Sequence, residues 1–133
     1  MTAEAARAAA KEEMLLAREE LQAAQQLLTA KLVRVAATRV YYAVFHAARA
    51  LVYSEGLEPK THAGVLSLLN VHFVRAGRLD AADSRLFARL QKFREEADYA
   101  DAYVEDEPAT REDLVEAAAF VQRASQMIGA EAR

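Results

Sequence analysis

From Thr2 to Thr29 the apolar positions Met14, Ala17, Leu21, Ala24 and Leu28 recur at alternating steps of three and four residues. That spacing lays one seam along an amphipathic helix. Continued onward, it lands on Leu32, Val35, Arg39, Tyr42 and His46. The seam turns polar there, so the helix is expected to break between Thr29 and Val33, although no Gly or Pro marks the place. A second helix is expected from Val33 to Glu55, stopped by Gly56 in a left-handed cap. At 100° per residue, Tyr41, Val44, Phe45, Ala48, Leu51 and Val52 share its apolar face, while Arg39, Tyr42, His46, Arg49 and Tyr53 share the opposite one. Both faces are therefore suited to contact.

After Pro59, Thr61 is placed to cap a third helix reaching Ala76 and ended by Gly77. A fourth is expected from Asp80 to Ala102, with Leu79, Leu86, Leu90, Phe93 and Ala97 on one arc. Glu105 to Pro108 reads as a loop. Thr110 then opens the last helix, with Asp113 completing a capping box and Leu114, Val115, Ala118, Val121, Ser125 and Ile128 forming its buried stripe. Five helices with short connections predict an all-α antiparallel bundle in a single domain spanning residues 1–133.

Composition narrows the function classes. Cysteine is absent, which removes disulfides, thiolate metal sites and a cysteine nucleophile. Alanine makes up about a quarter of the chain, so the 53% apolar content overstates the core. The net charge of −3 is not that of a dedicated nucleic-acid binder, although a local basic patch would escape a whole-chain sum. Glu4, Arg7 and Lys11 interrupt the first segment, which has no signal-peptide core, and no apolar run is long enough to span a bilayer. A cytoplasmic protein without membrane contact is expected. The three histidines form no i, i+4 pair with a ligand-like carboxylate, so neither a metal nor another cofactor is expected.

Arg94 and Asp98 lie one turn apart at the edge of the fourth helix's apolar arc. An arginine drawn inward needs a partner, because an unpaired buried charge is costly. Asp98 could hold it in a structural ion pair, or orient it in a cleft that receives phosphate. His46 reads either as a core-edge histidine bonded to a neighbour or as an imidazole available to chemistry. Lys60, Thr61 and His62 open the third helix, where free N–H groups and the helix dipole favour an anion; the plainer reading is a cap beside a surface lysine. Tyr41 belongs to the core, with its hydroxyl reaching an edge partner. Tyr42 and Tyr53 serve either a dimer interface or a base-stacking surface, and the arginines around them favour the interface. His72 reads as packing or surface. The runs Glu12-Glu13, Glu19-Glu20 and Glu105-Asp106-Glu107 read as solvated faces or loop.

Three segments together, Tyr41-Tyr42-Ala43-Val44-Phe45-His46-Ala47, Lys60-Thr61-His62-Ala63-Gly64 and Arg94-Glu95-Glu96-Ala97-Asp98-Tyr99, resemble the signatures of the HEPN family (higher eukaryote and prokaryote nucleotide-binding domain) over about Leu15 to Ile128. The resemblance implies a four-helix core and a homodimer in which Arg39, Tyr42, Arg49 and Tyr53 pack against the second copy. It also implies a nucleotide- or RNA-associated component of a toxin–antitoxin-like module beside a minimal nucleotidyltransferase. Lys60, Thr61, His62, Asp98 and Tyr99 would then bind phosphate. Ribonuclease-active members carry an arginine followed after four to six residues by a histidine, and cleave RNA without metal. Arg94 matches the arginine, but no residue from Glu95 to Tyr103 is histidine, and Tyr99 stands where a four-residue gap would place it. A tyrosine near its ordinary pKa of about 10 is a poor base at neutral pH. A ribonuclease would therefore borrow its imidazole from His46 or His62. The remaining reading is a non-catalytic binding scaffold held together by Arg94 and Asp98.

Overall fold

The computed structural model describes residues 1–97, 99 and 104–131. Its described residues form five α-helices and no strand: α1 Ala3–Thr29, α2 Val33–Ser54, α3 His62–Leu69, α4 Ala81–Ala97 and α5 Glu107–Glu131. The all-α bundle expected from the periodicity is what forms. Helix α2 is its centre, packing against α1, α3, α4 and α5. Twelve of its residues are buried, so its outward strip is narrow. None of the described helices is long and apolar enough to cross a membrane.

The α1–α2 break falls where the apolar seam fails. Leu32 N–H donates to Leu27 O at 2.9 Å and Lys31 N–H to Leu28 O at 3.0 Å, the paired bonds of a Schellman cap. Lys31 occupies the left-handed position at φ 64°. The same cap ends α2 at Gly56, φ 78°, where glycine meets no Cβ penalty. The first cap went unmarked in the sequence because a lysine takes glycine's usual place.

Four boundaries and faces differ from expectation. Helix α3 gives way after Leu69 to a π-helical turn, Asn70–Val74, closed by Arg75 N–H donating to Asn70 O at 2.9 Å. In α4 the buried aromatic is Phe87, fully enclosed, while Phe93 is 37% exposed. Helix α5 begins at Glu107 rather than Thr110, because Asp106 caps it by accepting from Ala109 N–H at 3.0 Å. Pro108 sits in that first turn, where a missing N–H costs nothing. Its core stripe is Leu114, Ala117, Phe120, Val121 and Ala124, whereas Val115 is 70% exposed and Ala118 is exposed. The expected stripe was rotated toward solvent. Asp113 takes no part in a cap; its carboxylate accepts from Arg89 at 2.7 Å and ties α5 to α4.

Candidate functional site

The outward strip of α2 and the start of α3 bring most of the candidate residues together. Thr61 caps α3, its Oγ1 accepting from Gly64 N–H at 2.9 Å. A Cβ on residue 64 would stand 3.0 Å from that oxygen, which accounts for glycine there. The cap delivers His62 onto α2, where its ring stacks on Phe45 with centroids 4.1 Å apart and planes 13° apart. The hydroxyl of the buried Tyr41 shares a hydrogen bond of 2.6 Å with His62 Nδ1. Tyr41 thus fills the core and reaches an edge partner, as its place on the apolar face implied.

From α4, the Arg94 guanidinium carbon lies 5.8 Å from the Tyr41 ring centroid and 5.9 Å from that of Tyr42, within cation–π range of both. Arg94 is half-buried, facing the bundle as its wheel position suggested. Asp98, its expected partner, lies outside the described residues. Arg49 stands 5.9 Å from the Phe45 centroid and its Nε–H donates to Tyr53 Oη at 2.8 Å. Arg39 lies 5.0 Å over Tyr42.

Helix α1 supplies what the sequence reading missed. Glu13 is buried, 8% exposed, and its Oε2 accepts from His46 Nδ1–H at 2.6 Å, while its Oε1 stands 3.7 Å from Arg49. Glu20 pairs with Arg39 at 2.9 Å. These two carboxylates are not on a solvated face as expected; only their neighbours Glu12 and Glu19 are. The available signal was spacing. Glu13 and Glu20 are seven apart, two turns on one face, and match the cations Arg39, His46 and Arg49, which also repeat on one face of α2.

The surroundings set two proton affinities. Burial pushes the Tyr41 phenol up to about 12, with Arg94 opposing the rise. His62 is held below its usual value by burial first, then by Arg94, Arg49 and His46. His62 is therefore neutral at physiological pH, with the Arg94 and Arg49 guanidiniums opposing a proton on it. An anion placed there would meet those two arginines without displacing a proton.

The remaining candidates stay apart. Lys60 and Thr61 are exposed, and Thr61 is occupied as the cap. Tyr99 is 72% exposed beyond the end of α4, and His72 is exposed. Tyr42, Tyr53, Arg39 and Arg49 are half-buried. A cavity of about 780 Å³ lies elsewhere, between the start of α1 and the ends of α2 and α5, and includes neither Arg94 nor His62. Among the described residues no group of three or more histidines and carboxylates is placed to hold a metal ion.

Known proteins resemble this chain over most of its length. A Methanocaldococcus jannaschii protein named "Putative toxin" is 38% identical over 109 residues, covering 81% of this chain and 80% of its own. A second protein of that name from the same organism is 30% identical over 89 residues, 67% of this chain and 60% of its own. A Thermotoga maritima protein named "UPF0332 protein" is 30% identical over 112 residues, 84% of this chain and 85% of its own. The family model described as HEPN domain matches residues 10–130, a span that holds α2, α3 and α4 whole, most of α1 and α5, and His46, His62 and Arg94. The chain belongs to the HEPN domain family.

Proposed function

We propose that this chain is the homodimeric, RNA- or nucleotide-associated component of a toxin–antitoxin-like module that works beside a minimal nucleotidyltransferase. The observation that carries the reading is the convergence of His62, Arg94, Arg49 and His46 on one aromatic patch of α2, where the local field favours an anion. Arginine and a neutral imidazole N–H together match a phosphodiester, and the exposed edges of Tyr42 and Tyr53 suit either a base or a second copy. The half-buried arginines and tyrosines along the α2 strip support the dimer, since those residue types are favoured at interfaces. The names of the related proteins support the module. Residues Arg39, Tyr42, Arg49 and Tyr53 would then pair across the two-fold, keeping their bonds to Glu20 and Glu13 within each subunit. Cytoplasmic location is part of the same reading.

A second reading, metal-independent ribonuclease activity, is favoured by one specific observation. The motif histidine is missing after Arg94, yet two imidazoles from α2 and α3 stand around the same aromatic patch. RNA carries its own nucleophile in the 2′-hydroxyl, so an acceptor for that proton and a cation for the phosphate are sufficient chemistry without metal. The deciding experiment combines light scattering at micromolar concentration with cleavage of single-stranded RNA in EDTA. A dimer supports the first reading and a monomer overturns its assembly. Cleavage that survives EDTA and disappears in Arg94→Ala supports the second, and cleavage indifferent to that substitution removes it.

A further inference from the structure

Glu13 and Tyr41 give the two histidines of the cluster opposite hydrogen-bonding duties. A carboxylate only accepts, so the proton in the His46–Glu13 bond sits on Nδ1. Whenever that ring is neutral, its Nε2 carries a lone pair. At His62 the arrangement is reversed. The Tyr41 ring is completely buried, and its hydroxyl makes no other hydrogen bond among the described residues. Accepting instead of donating would leave the phenol proton enclosed without a partner. Tyr41 therefore donates, His62 Nδ1 accepts, and the His62 proton resides on Nε2. Burial keeps the phenol protonated throughout the working range.

We propose that His46 is the proton acceptor in a metal-free cleavage of single-stranded RNA and His62 a hydrogen-bond donor to the same phosphate, with Glu13 and Tyr41 as the positioning residues that set these two roles. The proposal rests on the ribonuclease reading above and names the groups that replace the absent motif histidine. Both imidazoles flank one ring, at 5.4 Å and 4.1 Å from the Phe45 centroid, and Arg94 sits over the adjoining tyrosines. In the step, the 2′-hydroxyl proton passes to His46 Nε2 as the 2′-oxygen bonds to phosphorus and the P–O5′ bond breaks. The leaving oxygen takes a proton from water, giving a 2′,3′-cyclic phosphate and a 5′-hydroxyl, and His46 returns its proton to the solvent. Arg94 and the His62 Nε2–H face the charge that develops on the non-bridging oxygens. The Glu13–His46 pair repeats the carboxylate–imidazole orientation known from nucleophilic triads, on an unrelated scaffold.

The test reads imidazole nitrogen shifts in the full-length protein labelled with 15N-histidine, near pH 8, with each ring assigned by His→Gln substitution. The expected spectrum shows His46 as the Nδ1–H tautomer and His62 as the Nε2–H tautomer. In Glu13→Gln the amide oxygen faces Arg49, so the amide N–H group faces His46 and turns it to the Nε2–H tautomer. RNA cleavage in EDTA should then fall by about 10²–10⁴-fold, while RNA affinity stays within about twofold. Tyr41→Phe should release His62 to a mixture of tautomers and leave His46 unchanged. The opposite tautomer at either wild-type ring overturns the assignment, and this readout needs no variant to fold. A flipped His46 in Glu13→Gln with undiminished cleavage overturns the proton-acceptor role. Wild type that shows both expected tautomers but cleaves no RNA overturns the ribonuclease reading itself, while the hydrogen-bond assignments stand.

Discussion

Glu12 and Glu13 are the same residue type at adjacent positions of α1, and the structure gives them opposite weights. Glu13 has a side chain 10% exposed and accepts from His46, whose side chain is 18% exposed, with Arg49 at 33% standing 3.7 Å away. Glu13→Ala removes a charge-assisted hydrogen bond, worth roughly 1.5–3 kcal/mol where buried. It also removes one largely buried methylene, worth about 0.8 kcal/mol. Water regains His46 and Arg49 through their exposed edges and offsets part of the loss, leaving a cost of about 2 kcal/mol. With an unfolding entropy near 2.1 cal/mol/K per residue, that is a fall in Tm of about 7 °C for this chain. Glu12→Ala, made on an exposed position, should move Tm by no more than about 2 °C. Paired thermal melts of the two variants provide the assay. Equal melting temperatures for the two would refute the buried Glu13–His46–Arg49 network, and with it the view that α1 orients the strip of α2.

The rotated face of α5 can be checked directly: Phe120→Ala should cost about 3–5 kcal/mol in chemical denaturation, and Val115→Ala less than about 0.5 kcal/mol. Were the two costs reversed, the helix would be turned as its sequence first suggested. A pH series of melts tests His62. Its pKa is lower folded than unfolded, so the unfolded chain binds the extra proton below about pH 6.5. Stability from this group is complete above that value and declines as the pH falls toward the folded value. Melting temperature should therefore drop between about pH 7.5 and 5.5, more in wild type than in His62→Gln; equal slopes would contradict the buried, cation-facing placement.

The helices were legible because apolar spacing is set within each helix by its own sequence. The faces were less so, since two rotations of α5 differ by one residue and both carry apolar side chains; the burial of Phe120 came with the packing of α5 on α1 and α2, which no local pattern contains. The break after Thr29 could be placed from the failing seam, but its cap depended on Lys31 adopting a left-handed backbone that residue type does not advertise. The start of α5 was hidden because Asp106 and Glu107 look equally like loop and like a favourable first turn. At the site, Arg94, His62, His46 and Tyr41 were all recognisable by type and position. What the sequence could not show was that they gather on one patch, because α2, α3 and α4 meet there through tertiary packing. Glu13 escaped for the same reason. A glutamate next to another glutamate reads as solvent-facing until the imidazole it meets, 33 positions on, is placed against it.

Titration of a fluorescent single-stranded oligoribonucleotide tests the proposed anion site at Arg94 and His62 most directly. Arg94→Gln should weaken binding at least about tenfold at fixed ionic strength, because it removes the cation that faces His62 across the aromatic patch. Lys92→Gln, an equal change of charge on the exposed side of the same helix, should weaken it less than about twofold. Equal losses from the two substitutions, or none from Arg94→Gln, would contradict a site at this patch.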